Sequence, residues 1–450
     1  MMSNKVITRF APSPTGYLHV GGVRTALFNY VFAKQNAGKI LLRIEDTDQE
    51  RNKDEYIEGI IQAFDWLGLK FDSVRKQSDN FPIHRKYLEK LISSGKAYVS
   101  KEEIKEAGQR SEVIRFRNEN KDIIIADLIK GEVKFNTAEL GDFIIAKSLD
   151  EPIFHFSNVV DDIISGITHI IRGEEHLSNT PRQIMIWEAI GEVERPAYGH
   201  IPLILTENRE KMSKRKHGEI VSVEYYQKNG YLPDALLNFL ALLGWNPGGD
   251  QEIISMDEMI EKFSLEKIQK AGAIFNPEKL LWFNRQYLLK LSDTDFIEKA
   301  SPFLPKWLGS KSDTFKRMLS ILRDKTHKLS DLTQVFEKGN ELFFVKELPA
   351  YDSKLLLWKN QPDTVLTRTY LLKSRELLET IPDDQFTADT IKDTLWKYAE
   401  EKGRGDVLWP LRVALTGQEK SPDPFTSAFI LEKAESLTRI EKACVLLNKR

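Results

Sequence analysis

The sequence predicts an α/β domain on a parallel sheet, interrupted by a mixed α/β insertion and followed by a mostly α-helical region. Three observations carry this. Residues 5–44 run strand, loop, helix, strand. Residues 85–150 break that rhythm with a helix and several short strands. Beyond about His217 the apolar spacing turns mostly helical and remains so. A chain of 450 residues has room for about three domains.

Taken in order, residues 5–10 are a short β-favouring run, and residues 11–22, dense in Pro and Gly, read as a loop. Residues 22–35 carry Val23, Leu27, Tyr30 and Val31 at helical spacing. Gly38 closes that helix, and residues 39–44 form a second strand. Strand, helix, strand implies a crossover between parallel neighbours. Residues 56–67 are a further amphipathic helix. In the insertion, helices are expected at 85–94 and, in a charged stretch, at 101–107; strands follow at 113–117, 122–126 and 131–135. Strand character resumes at 153–160 and 166–172; 182–190 is helical and 203–205 a strand. Pro233 opens a helix over 232–243, and residues 246–250 are a turn. Helices are then expected at 313–325, 364–378, 390–400, 405–415 and 436–447. There is no internal repeat and no low-complexity tract.

Composition narrows the chemistry. Cys444 is the single cysteine, which excludes an intramolecular disulfide and a multi-cysteine zinc site. In the apolar run Ala443-Cys444-Val445-Leu446-Leu447 it reads as the core of a helix. A net charge of −2 does not mark a general polyanion binder, so any RNA-facing surface must be balanced by acidic surface elsewhere. No apolar run reaches the roughly 18 residues of a membrane span. Residues 1–5 lead straight into a strand without an apolar signal segment, so a cytoplasmic location is expected.

Three clusters carry chemistry. Arg9-Phe10-Ala11-Pro12-Ser13-Pro14-Thr15-Gly16-Tyr17-Leu18-His19-Val20-Gly21-Gly22 lies between a strand and a helix. Such a loop presents backbone N–H groups and a helix N-terminus at the carboxyl edge of the sheet, where anions bind. Gly21 and Gly22 would let adenine or phosphate approach the backbone, and His19 could donate to a phosphate. The bland alternative is a Pro/Gly turn with a capping histidine. Arg43-Ile44-Glu45-Asp46-Thr47-Asp48 ends the next strand and faces the same crevice. Glu45 suits a substrate ammonium, whereas Asp46 or Asp48 reads as a cap for the helix that follows. Lys211-Met212-Ser213-Lys214-Arg215-Lys216 is either a solvated basic loop or a lid whose lysines stabilise charge on departing pyrophosphate.

In this order the clusters resemble the class I aminoacyl-tRNA synthetases. His19-Val20-Gly21-Gly22 stands where that class has its HIGH motif, and Lys211–Arg215 where it has KMSKS. Asn158-Val159-Val160-Asp161-Asp162, the stretch from Gly166 through Arg172 to Pro181, and Gly230–Asn238 are similar to bacterial-type glutamyl-tRNA synthetases. The likeness is dense to about Gln286 and returns at Leu411–Gly417.

The resemblance implies a Rossmann-like parallel-sheet catalytic domain in two halves, 1–84 and 151–205. A shortened acceptor-end-binding insertion would occupy 85–150, a stem-contact domain with the KMSKR lid 206–305, and a helical anticodon-binding domain 306–450. It implies that glutamate is joined to ATP as an adenylate and then passed to the terminal ribose of tRNA(Glu), with tRNA(Gln) left open as a second acceptor. Arg172 would clamp the side-chain carboxylate, with Arg9, Ala11, Ser13, Glu45, Phe154 and Asn158 around the amino acid. Pro12, Thr15, His19, Gly21, Gly22, Glu175, Leu203, Lys211, Ser213 and Lys214 would surround ATP, with His19, Lys211 and Lys214 closest to the chemistry. Mg²⁺ is expected through the phosphates, and zinc is not expected; relatives are usually monomers and usually need tRNA before forming the adenylate.

Two departures bear on substrate contacts. Phe154 stands where relatives commonly have Tyr, which removes one hydroxyl from the pocket. The segment between Tyr98 and Val113 reads as shorter than in many relatives, which bears on the acceptor end. The final Arg215 in place of Ser is usual in glutamyl enzymes. The alternatives are an enzyme glutamylating the queuosine base of tRNA, which would need no helical C-terminal region, glutaminyl-tRNA synthetase, which Arg172 argues against, a small-molecule adenylating ligase, and a noncatalytic tRNA-binding paralogue.

Overall fold

The computed structural model describes residues 5–47, 52–103, 111–191, 194–309, 312–359 and 362–448, apart from the side chains of Lys214 and Arg215. Asp48, the first residues of the helix expected after it, and positions 104–107 of the expected charged helix lie outside the described residues. The chain forms two compact units, residues 1–284 and 285–450.

In the first unit, β1 (Ile7–Phe10) pairs in parallel with β2 (Lys39–Ile44), and β2 with β3 (Ser73–Lys76). The crossover is α1 (Val20–Gln35), two residues earlier in its start than its apolar spacing suggests. Further on, β10 (His169–Gly173) pairs in parallel with β11 (Ala197–Ile201). Thr168 links this pair to β1: its N–H donates to Ile7 O at 3.0 Å, and its hydroxyl accepts from Ile7 N at 2.9 Å. Adjacent residues on a strand point to opposite faces. Leu42 and Ile171 enter one apolar cluster, with Val23, Leu27 and Leu240; Ile170 enters another, with Phe116, Val160 and Ile184, and Leu41 packs against it. Both faces of the parallel layer are thus covered, as such layers require.

The insertion is a mixed element as predicted. After α2 (Asp54–Leu67) and α3 (Phe81–Ser93), β4 (Ala97–Lys101), β5 (Glu112–Phe116), β8 (Phe143–Ser148) and β9 (Glu151–Pro152) form an antiparallel sheet. Between them β6 (Asp122–Asp127) and β7 (Gly131–Asn136) make a hairpin.

Three expectations are corrected. Residues 153–160 are not a strand: α4 (Phe154–Ile164) occupies them, buried at every position from Phe156 to Ile163. Ser157, Asn158, Asp161 and Asp162 recur there at helical spacing, but a short run whose other members are Val, Ile and Phe also fits a buried strand. Lys101, expected to begin a helix, ends β4. Gly38 does not close α1 in a left-handed conformation; Ala37 does, at φ 48°. What Gly38 supplies is space, because a Cβ there would collide with Val6 O, the acceptor for Lys39 N at 2.8 Å.

The second unit is helical. Its helices include Asp313–Lys325, Thr364–Glu379, Ala388–Lys402, Arg404–Thr416 and Pro424–Asn448, the last kinked at Glu432. Ser312, Asp363 and Thr387 cap the first three through their side chains. Cys444 is buried in the final helix, as its apolar neighbours suggest. Among the described residues, no helix is long and apolar enough to cross a membrane.

Candidate active site

The carboxyl ends of β1, β2 and β10 and the N-terminal ends of α1 and α4 surround one cavity of about 1160 Å³. This is the crevice at which an open α/β sheet binds its ligands. Arg9, Ala11, Pro12, Ser13, Thr15, His19, Gly21, Gly22, Glu45, Phe154, Asn158, Arg172 and Glu175 all line it. The sequence clusters therefore converge, although Arg9 and Arg172 are 163 residues apart.

One end of the cavity is a buried network of charge. Asp162 in α4 accepts from Arg9 Nε at 3.1 Å and from Arg43 Nη1 at 2.6 Å. Arg43 Nη2 donates to Glu45 at 3.3 Å, and Asn158 Nδ2 donates to the same oxygen at 2.5 Å. Neighbouring Asp161 takes bonds from Gln77 (2.7 Å), Asn80 (2.8 Å) and His84 (2.8 Å). Buried ions persist only with such partners. Burial would lower the Arg43 pKa, but Asp162, Glu45 and Asp161 together raise it above the usual arginine range. Burial raises Glu45 despite Arg43 and Arg9.

Arg172 differs from these arginines. Its partners are Gln183 Oε1 at 2.7 Å, Thr180 Oγ1 at 2.8 Å, His200 Nε2 at 3.2 Å and His176 O at 3.4 Å. All are uncharged acceptors. Burial, and then repulsion from Arg9, lower its pKa to about 10. A guanidinium so placed keeps a net positive charge directed at the cavity's contents. The ring of Phe154 sits 5.7 Å from that of His176, on the cavity wall.

The other end is built on α1. His19 is its N-cap, and Nδ1 accepts from Gly21 N at 2.9 Å. The capping role and a role toward substrate are thus compatible, because they use different nitrogens: Nε2 is buried without a hydrogen-bond partner among the described residues. Burial, followed by Lys211, lowers the His19 pKa to about 4, so the ring is neutral near pH 7. Gly21 and Gly22 lie in the first turn of α1 rather than in the preceding loop. Their missing side chains first make room for protein: a Cβ would sit 3.2 Å from His19 Nδ1 at Gly21 and 3.2 Å from Phe10 at Gly22.

The basic loop approaches this end from the strand β12 (Ile204–Leu205). It bends at Arg209, with φ 61°, and Lys211 bridges back to Leu205. Met212 is buried in the core while Lys211 is exposed. Ser222 then bridges to His19, and Val223 N donates to Leu18 O at 3.0 Å. Leu203, Lys211 and Ser213 stand outside the cavity lining; Leu203 N is held by Glu174 at 2.9 Å, and the Lys214 side chain lies outside the described residues. Asp46 does not cap α2. It accepts from Ser78 N at 2.9 Å and Ser78 Oγ at 2.7 Å, and Lys53 stands at the cap position.

Sequence reasoning assigned no role to Asp162, Gln183, Thr180 or His200. Asp161-Asp162 within an apolar run offered a signal, since acids enclosed by Val and Ile need buried cations or donors.

Residues 5–112 and 99–282 match the family "tRNA synthetases class I (E and Q), catalytic domain", and residues 295–444 match an anticodon binding domain. The glutamate–tRNA ligase of Carboxydothermus hydrogenoformans is 39% identical over 97% of this chain and 99% of its own. That of Aquifex aeolicus is 39% identical over 92% and 93%. A crystal structure of a glutamate tRNA ligase from Elizabethkingia meningosepticum, in complex with its amino acid, superposes with a TM-score of 0.85 at 31% identity, covering 98% of this chain and 99% of that one. With both domains matched and its relatives aligned nearly end to end, this chain belongs to the glutamate–tRNA ligase family of class I aminoacyl-tRNA synthetases.

Proposed function

We propose that the cavity takes glutamate at the Arg172 end and ATP at the His19 end. As a family member the chain is an ATP-dependent glutamate–tRNA ligase. The glutamate α-carboxylate attacks the α-phosphorus of ATP and pyrophosphate leaves. The terminal ribose hydroxyl of tRNA(Glu) then attacks the acyl carbon, and AMP leaves. Positioning and charge stabilisation are what such steps ask of a protein.

The observation that carries the assignment is the Arg172 guanidinium, buried among neutral acceptors. A carboxylate answers its charge and a carboxamide does not. Glu45 suits the α-ammonium, and Arg9, Ala11, Ser13, Phe154 and Asn158 the rest of the amino acid. Pro12, Thr15, Gly21, Gly22, Glu175, Leu203 and Ser213 belong to the nucleotide side. His19 Nε2, Lys211 and Lys214 meet the phosphates as charge builds there. Mg²⁺ fits as a companion of those phosphates, which would carry most of its ligands.

The five-part division proposed from the sequence, with the acceptor end at 85–150, the stem at 206–305 and the anticodon at 306–450, belongs to this reading. So do a monomeric state, a cytoplasmic location and a test of tRNA(Gln) as a second acceptor. The anticodon-binding match over 295–444 speaks against a queuosine-modifying enzyme, which would need no such region.

ATP–pyrophosphate exchange with glutamate, glutamine or neither, each with and without tRNA, tests the reading. Exchange is expected only with glutamate and tRNA together, followed by charging of purified tRNA(Glu). Exchange with glutamine at equal efficiency would remove Arg172 from its role, and no exchange by folded protein with Mg²⁺ would overturn the activity.

A further inference from the structure

We infer that Asp127 and His200 are a positioning pair that fixes Arg172 while leaving its charge available to the substrate; the inference rests on the reading of Arg172 as the carboxylate clamp. His200 is the register partner of Arg172 across the β10–β11 pair. Its Nδ1 lies 2.5 Å from Asp127 Oδ2, and both side chains are fully buried. The other Asp127 oxygen accepts from the N–H groups of Ile129 (2.9 Å), Lys130 (2.8 Å) and His200 (3.2 Å). The carboxylate is therefore immobilised, and it holds the proton of the imidazole on Nδ1.

That tautomer leaves a lone pair on Nε2, which faces Arg172 Nε–H at 3.2 Å and the Thr180 hydroxyl at 3.1 Å. A second proton on the ring would set N–H against N–H. Burial lowers the His200 pKa, against the pull of Asp127, and Arg172 lowers it further. The ring is a neutral acceptor, and this is the point of the arrangement. A carboxylate bonded directly to Arg172 would cancel its charge, and glutamate would gain little over glutamine. Set one imidazole away, the carboxylate orients the guanidinium without neutralising it. Asp127 ends β6, so a residue of the inserted segment sets the geometry of the amino-acid pocket.

The test uses the full-length protein in tRNA-dependent pyrophosphate exchange, comparing H200L, H200Q, D127N and R172A. In D127N the new amide can donate to Nδ1 and drive the proton onto Nε2. D127N and H200L should each raise KM for glutamate about tenfold, as loss of a hydrogen bond to a charged group does, and narrow the preference for glutamate over glutamine. KM for ATP should stay unchanged. H200Q, whose side-chain oxygen can accept near the Nε2 position, should recover most of the affinity lost in H200L. If H200L does not fold, D127N against H200Q decides the matter. Unchanged KM and preference in D127N and H200L, with R172A strongly impaired, would overturn the positioning pair alone. An unimpaired R172A would instead overturn the clamp. Equal rises in KM for glutamate and ATP, tracking a loss of Tm, would reduce the pair to a structural role and overturn the inference.

Discussion

The two ends of the cavity are built on different principles. At the end proposed for the amino acid, Arg9, Arg43, Glu45, Asn158 and Asp162 bond one another in a buried network. At the end proposed for the nucleotide, His19 Nε2 is buried without a hydrogen-bond partner among the described residues, and Lys211 is exposed beside it. The first end is held rigid by its own bonds and leaves the Arg172 charge for a substrate to answer; the second offers groups that a phosphate would engage. Selecting one amino acid requires geometry fixed in advance, whereas stabilising charge that builds on phosphate requires donors kept in reserve.

Asp162→Asn should disturb this contrast most. It leaves Arg9 and Arg43 buried without their shared anion, so stability should fall by about 3–5 kcal/mol. Urea unfolding measures this, and a loss within error would mean the network is not the frame of the pocket. Next comes Lys211→Ala, which should lower kcat by about 10²-fold with KM for glutamate unchanged, as removal of an electrostatic stabiliser does. A rise in KM for glutamate instead would erase the distinction between the ends. His19→Asn separates the two ring nitrogens, because Asn is itself a good N-cap. Thermal stability should hold within about 1 kcal/mol while exchange drops about tenfold or more. Equal loss of both would return His19 to a purely capping role.

The smallest effect is on pH. Burial, with neighbouring cations, lowers His19, His155 and His176 to about 4, against about 6.5 when unfolded. Between those values the unfolded chain holds more protons, so these groups make stability rise with pH. Their contribution is full above about pH 6.5 and lost as pH falls toward 4. The H19N variant should show a shallower acid decline than the parent in urea titrations at stepped pH.

The order of strand, loop and helix was legible because β1, α1 and β2 are joined locally and signalled by turn chemistry and apolar spacing. The site motifs were legible because residues 9–22 and 43–47 lie at strand ends where such folds bind ligands. The helix α4 was not, because its polar positions 157, 158, 161 and 162 recur at helical spacing within a short run rich in Val, Ile and Phe that fits a buried strand as well. Nor were the partners of Asp162: two acids in an apolar run signal a need for buried cations or donors, but those come from β1 and β2, 119 to 153 residues away, and nothing local names them. The place of the lysine loop follows from bridges at Leu205 and Ser222 that neither residue type announces.

Gly38 bears on how a mutational scan of this enzyme would be interpreted. It stands at the start of β2, at the opposite edge of the sheet from the cavity, yet any side chain would push Val6 away, and Val6 leads directly into the strand that carries Arg9. Displacing β1 at its origin would shift Arg9 at its end. A scan scored only by activity would then rank Gly38 beside the residues that touch substrate, though it meets none of them. Sensitivity along this chain marks what holds the sheet in register as well as what the sheet holds.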